Sequence, residues 1–217
     1  MKQGLPCLVA SSLMLLAIQA ETSNARELPK WQPRLFLTAT GSVWSPGGVD
    51  KDRFTASLGG SASLIYWFNW NTQVMLSGSY ASLKTQRYYW LPAALGDTLP
   101  DVWEVKGSLW SASLELRRLF PTDNKNFLYL ALGGDYYHFG PVKGDYQIYT
   151  TGPTISGQVT EERHPSEAAG FHFAPGLFFL FYPQVSVDVA VRLRFMYDGE
   201  NALMWLEPAF TLGVRLF

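Results

Sequence analysis

The chain has 217 residues, a formal net charge of −1, and 15% aromatic against 16% charged residues. Near-neutral charge argues against a nucleic-acid or polyanion partner. The charged share is low for a water-soluble domain, where it runs to roughly a quarter, so the aromatic excess needs a reason.

The first segment, "MKQGLPCLVASSLMLLAIQAETSNA" (1–25), carries a single Lys2, an apolar stretch from about Leu5 to Ala17 and small residues beyond it. This is the form of a secretory signal peptide, cleaved after Ala20 or Ala25. Its apolar stretch is shorter than the ~20 residues a spanning helix needs. Cys7 lies inside it, so the domain expected over 26–217 has no cysteine, which excludes disulfides and Cys-based zinc sites.

From there on, alternation recurs. Successive side chains of a strand point to opposite faces, so an apolar residue at every second position marks a strand with one hydrocarbon face. The pattern predicts strands over 34–44, 53–67, 72–83, 108–119, 127–137, 170–182, 185–195 and 203–217. The clearest is "VSVDVAVRLRF" (185–195), whose odd positions are all apolar while Asp188, Arg192 and Arg194 share the other face. Pro175 and Pro208 fall inside predicted strands, where proline removes a ladder hydrogen bond, so bulges are expected there.

Connection lengths add a second signal. Strands two and three, four and five, and six and seven are joined by the brief "FNWN", "FPTDNKN" and "YPQ". The other connections are "SPGGVDKD", "KTQRYYWLPAALGDTLPD", a stretch over roughly 140–166 and the short "DGEN". Mostly long loops on one side and short turns on the other are the layout of an outer-membrane barrel. Trp31, Trp67, Trp70, Phe127, Tyr182 and Phe217 fall at the short-turn ends, and Trp44, Tyr88, Trp90, Trp103, Tyr137 and Tyr197 at the loop ends. Two aromatic girdles at the membrane interfaces would account for the excess. The rival, a secreted soluble barrel with a small apolar ligand, inverts the faces and predicts neither girdles nor loops segregated by length. The reading is therefore all-β: a closed, antiparallel, eight-stranded, up-and-down transmembrane β-barrel over 26–217.

In this layout, over about 31–217, the chain resembles the small eight-stranded outer-membrane β-barrel family that includes the OmpA transmembrane domain. The most specific local element is the ending "LGVRLF". The resemblance implies a Gram-negative outer-membrane location, surrounding lipopolysaccharide and phospholipid, and recognition of Phe217 by the barrel-assembly machinery. The ending departs from the family in one respect. Gly213 and Arg215 stand where the family prefers apolar residues, and the apolar phase runs through Val214 and Leu216.

By phase, the lumen receives Glu115, Arg117, Asp135, Asp188, Arg192, Arg194, Glu207 and Arg215, four acids and four arginines, with His172 beside them. An eight-stranded barrel is just wide enough for side chains to fill, and an unpaired charge there is costly. If "DGEN" closes a tight hairpin, position sums near 399 set Arg192 opposite Glu207 and Arg194 opposite Trp205, near His172. Arg117 is expected to reach Asp135. Strands one to three offer Ser, Thr and Gly inward, which leaves two uses for the lumen: a salt-bridge plug, or a narrow path for small polar solutes.

Catalysis has one weak handle, His164 and Ser166 in "HPSE", which resembles a lipid A deacylase fragment but lacks a matching acid. No enzyme activity, cofactor or metal is expected, since His138, His164 and His172 lack partners at ligand spacing. Loop aromatics Tyr88, Tyr89, Trp90, Leu91, Tyr146, Ile148 and Tyr149 are candidates for binding an unknown surface ligand. The alternative is that Tyr146–Thr150 and Ile155–Thr160 simply extend a hairpin beyond the membrane.

Overall fold

The computed structural model describes residues 35–47, 54–69, 71–85, 101–122, 125–148, 155–161, 166–182 and 184–216. The signal segment lies outside them. The described residues form β1 (Leu35–Gly47), β2 (Phe54–Thr55), β3 (Ser57–Asn69), β4 (Thr72–Thr85), β5 (Asp101–Pro121) and β6 (Asn126–Phe139). After these come β7 (Val142–Ile148), β8 (Ile155–Glu161), β9 (Glu167–Tyr182), β10 (Val185–Tyr197) and β11 (Ala202–Arg215).

Eight of these strands close a ring in the order β1, β3, β4, β5, β6, β9, β10, β11 and back to β1, each antiparallel to its neighbours. They run from 13 to 21 residues, more than the 9–11 that a tilted membrane strand requires. The remaining strands decorate the loop end. β2 pairs with the last residues of β4, and the β7–β8 hairpin stands on the start of β5, where Asp101–Lys106 pairs with Lys143–Gln147. Residues 142–148 and 155–161 thus extend the sheet beyond the ring.

Turn chemistry sets the register. Between β10 and β11, Asp198 Oδ1 accepts the N–H groups of Glu200 (3.0 Å) and Asn201 (2.7 Å), and Gly199 takes φ 99°. Aspartate favours such a turn because its carboxylate substitutes for a backbone acceptor, and glycine because it has no Cβ to clash at positive φ. The hairpin is tight, and Arg192 pairs with Glu207 and Arg194 with Trp205 along its ladder.

The two faces separate cleanly. On β6, Leu128, Leu130, Leu132 and Tyr136 are exposed while Tyr129, Ala131, Asp135 and Tyr137 are buried. On β11, Met204, Leu206, Phe210, Leu212 and Val214 are exposed around buried Trp205, Glu207, Ala209 and Thr211. Charge inside and hydrocarbon outside, continued around a closed ring, is the inverse of a soluble barrel. A belt of this extent would be unstable in water and is suited to lipid.

Two expectations are corrected. No register shift occurs at Pro175 or Pro208; the shifts fall at Trp67/Asn69, Val102/Glu104 and Val185/Ser186. Each proline keeps register with one neighbour, Leu130 or Val191, while the ladder on its other side skips two positions. A missing N–H thus weakens one seam without moving the strand. The second correction concerns the girdles. Trp44, Trp67, Phe127 and Tyr137 are buried inside the barrel. Each lies on the same alternation phase as the polar lumen residues of its strand, and strand pleat overrides position along the strand. Exposed Tyr66, Phe68, Phe120 and Phe181 ring the short-turn end instead, and Tyr80, Trp110, Tyr136, Phe171 and Tyr197 the loop end. Trp31, Trp70, Tyr88, Trp90 and Phe217 lie outside the described residues.

Candidate functional site

The lumen is built in three layers. At the short-turn end, Phe36, Ile65, Trp67, Met75, Leu119, Phe127 and Phe178 form one apolar cluster. At the loop end, Trp44, Leu83, Leu109, Tyr137, Phe139, Met196 and Trp205 form another. Edge-to-face ring contacts tie each together: Trp67 to Phe127 at 5.6 Å and Phe178 at 5.7 Å, and Trp44 to Trp205 at 6.2 Å. The room expected beside strands one to three is therefore taken by Phe36, Trp44, Ile65, Trp67, Met75 and Leu83.

Between the clusters lie eight charged side chains. Glu115 meets His172 Nε2 at 2.7 Å, and His172 Nδ1 meets both oxygens of Asp135 at 2.9 and 3.0 Å. Arg194 Nη1 donates to Asp135 at 2.9 Å and its Nε to Glu207 at 2.6 Å. Arg192 lies 3.5 Å from Glu207 and 3.5 Å from Glu115. The circuit Glu115–His172–Asp135–Arg194–Glu207–Arg192 therefore closes on itself with alternating sign. Arg117 branches from it, donating to Glu115 through Nε and to Asp188 through Nη1 at 2.6 Å.

Both ring nitrogens of His172 face carboxylates, which accept hydrogen bonds and donate none. The ring satisfies both only as the imidazolium, with each N–H donating. Four cations (Arg117, His172, Arg192, Arg194) then balance four anions (Glu115, Asp135, Asp188, Glu207). Removing one partner of such a buried pair costs about 3–5 kcal/mol, because the other charge is left uncompensated.

The structure gathers eight of the nine lumen residues named from sequence. Arg215 keeps the inward phase but sits half-buried at the short-turn mouth, apart from this circuit. Arg117 does not reach Asp135. Its register partner on β6 is Ala131, whereas Asp135 pairs with Ser113. Four residues of strand separate the two charges, and Arg117 turns to Glu115, two positions back on its own face, and to Asp188 on β10.

Sequence reasoning passed over the aromatic partners. Tyr129 donates to Asp188 at 2.7 Å beneath the Arg117 guanidinium, 4.6 Å from its ring centre. Tyr137 donates to Asp135 at 2.8 Å, and Arg194 stacks 4.7 Å from the centre of Trp44. Met75 Sδ accepts from Arg117 at 3.1 Å. Their signal was present: all share the inward phase of the charges. Among the described residues no group of His, Asp and Glu could hold a metal ion.

Of the loop candidates, Tyr88, Tyr89, Trp90, Leu91 and Tyr149 lie outside the described residues, and Tyr146 is a β7 residue in register with Gly157. His164 also lies outside; the Ser166 carbonyl accepts the N–H of Phe139 at 2.7 Å.

Among solved structures, the chain is similar to Neisserial surface protein A, with 13% identity, TM-score 0.50, and coverage of 84% of this chain and 97% of that one. The chain has the fold of the small eight-stranded outer-membrane β-barrels. The attachment invasion locus protein Ail of Yersinia pestis is similar at 14% identity, TM-score 0.46, with 84% of this chain and 98% of that one covered. The outer membrane protein OprG from Pseudomonas aeruginosa shows 9% identity and TM-score 0.47, over 84% of this chain and 93% of that one. No protein-family model and no curated protein matches this barrel's sequence.

Proposed function

We propose that this protein is a non-conducting, non-enzymatic barrel of the outer membrane, with a structural role in the envelope and a loop end available for surface binding. The filled lumen carries the reading. A self-neutralising ring of charge, stoppered by an aromatic-rich layer at each end, has the composition of a core and not of a channel. The 21-residue β5 and the β7–β8 hairpin standing on it support the second half, since they hold the loop end on a rigid sheet.

The test is single-channel recording of the refolded barrel in a planar bilayer, with folding checked by heat-dependent gel mobility. Wild type and Glu207→Gln are both expected to be silent. Discrete steps from wild type that change in the variant would overturn the reading in favour of a pore for small polar solutes.

A further inference from the structure

Among the described residues, four buried side-chain polar atoms have no hydrogen-bond partner. Three of them stand side by side: Trp67 Nε1 and the two amide atoms of Gln73, Oε1 and Nε2. Trp67 of β3 pairs directly with Gln73 of β4, which pairs directly with Arg117 of β5. Direct partners on one face of a sheet lie about 5 Å apart at Cβ, so these three side chains enter the lumen as one row. All three are fully buried. The third member is also poorly served, since Arg117 Nη2 meets the Met75 thioether at 3.1 Å, a weak acceptor.

The loop end of the lumen offers a contrast. There Trp44 Nε1 donates to Ser42 Oγ, two positions back on its own face, at 3.0 Å. Two positions before Trp67 stands Ile65, which has no side-chain acceptor. Buried indole N–H groups usually find a partner, and so do buried side-chain amides. Left unmade, each such bond costs the full desolvation of its group. The row continues through Ala131 and Ala174, two short side chains that add little bulk at this level.

The donors and acceptors say what fits. Trp67 Nε1 and Arg117 Nη2 only donate, whereas Gln73 Oε1 only accepts. An anion would take the donors but leave Oε1 unpaired. It would also add charge to a circuit that already sets four cations against four anions. A cation would meet a single acceptor beside the Arg117 guanidinium. A water molecule both accepts and donates, and internal waters typically make about three hydrogen bonds to buried polar groups of this kind.

We infer that Trp67, Gln73 and Arg117 form a binding site for an ordered internal water, which accepts from Trp67 Nε1 and Arg117 Nη2 and donates to Gln73 Oε1. The short-turn stopper is thus hydrated where it meets the charged circuit, while the loop-end stopper satisfies Trp44 through Ser42.

The test uses the refolded, isotope-labelled barrel in detergent micelles, with the indole resonance assigned through Trp67→Phe. Wild type should show a cross-peak between the Trp67 indole proton and water, with the sign of a long-lived bound molecule. Gln73→Met keeps the length of the side chain and removes both polar atoms. Oxygen-17 relaxation dispersion should therefore count fewer long-lived waters in that variant than in wild type. Replacing chloride by sulfate should leave the wild-type indole resonance in place. A missing cross-peak in wild type, or an unchanged water count in folded Gln73→Met, would overturn the site. So would an indole shift that follows chloride concentration, which would assign the row to an anion. Should Gln73→Met fail to fold, the wild-type cross-peak alone decides. Channel steps from wild type would count against the closed lumen, and the cross-peak would still judge this site separately.

Discussion

At Gly133 the lumen leaves no space for a methyl group. The residue is in register with His172, and a Cβ there would stand 2.2 Å from His172 Cε1. The glycine lets the imidazole lie flat against β6 and reach Asp135 on one side and Glu115 on the other. Gly133→Ala should push the ring off both carboxylates, combining overpacking with two carboxylates that lose a partner. The expected cost is about 3 kcal/mol or more, read as a lower urea midpoint for unfolding from lipid vesicles. A midpoint unchanged from wild type would show that the ring can move without loss. Isotope-labelled His172 offers an independent check. Both ring nitrogens should give imidazolium shifts at neutral pH, and a neutral tautomer would break the charge balance described above.

At the scale of elements, the seams beside β9 and β11 are the weak places in the ring. Pro175 and Pro208 each face outward on their strands, and each leaves a gap in the ladder on one side, toward β10 and β1 respectively. Restoring the donor without disturbing the lipid face should strengthen these seams. Pro175→Val and Pro208→Val are each expected to add about 0.5–1.5 kcal/mol, the net worth of one hydrogen bond. Amide exchange should slow at the residues flanking the gap. Faster exchange or a lower unfolding midpoint would mean that proline stiffness contributes more than the bond it removes. Strand existence and facing were legible from alternation, because each is a property of one segment and its pleat. The behaviour of the prolines was not, because a lost N–H affects only the neighbour it points to, and the sequence does not say which neighbour that is.

For the molecule as a whole, the lumen holds three packed layers, an aromatic-rich cluster at each end and the charged circuit between them. Opening one end should therefore not make a channel. Trp44→Ala with Trp205→Ala removes the bulk of the loop-end stopper, and Trp67→Ala with Phe178→Ala that of the short-turn end. Each double variant is expected to stay silent in a planar bilayer, because the ionic ring and the opposite stopper remain. Conductance from either one alone would mean that the charged layer is permeable and that the removed aromatic pair was the gate. The exterior is graded in the same way along the barrel axis, with an apolar belt between exposed aromatic rings at the two ends. Inside and outside thus differ in kind: the interior packs paired charge between aromatic rings, and the exterior presents hydrocarbon.

The sequence by itself determined which residues enter the lumen, since alternation is set by the backbone pleat within each strand. It also determined the register of β10 on β11, since a four-residue connection built on Asp198 and Gly199 leaves little room for slip. The resulting Arg192–Glu207 and Arg194–Trp205 pairs could be named in advance for that reason. The tertiary structure alone decided the contacts across the lumen. Arg117 meets Asp188, 71 positions away, and Arg194 meets Asp135 across 59. Those meetings depend on the stagger of eight strands around a closed ring and on how far each side chain reaches inward. The same is true of Trp44, Trp67, Tyr129 and Tyr137. Their phase pointed them inward, but only closure of the ring made them the ends of the plug and the partners of its charges.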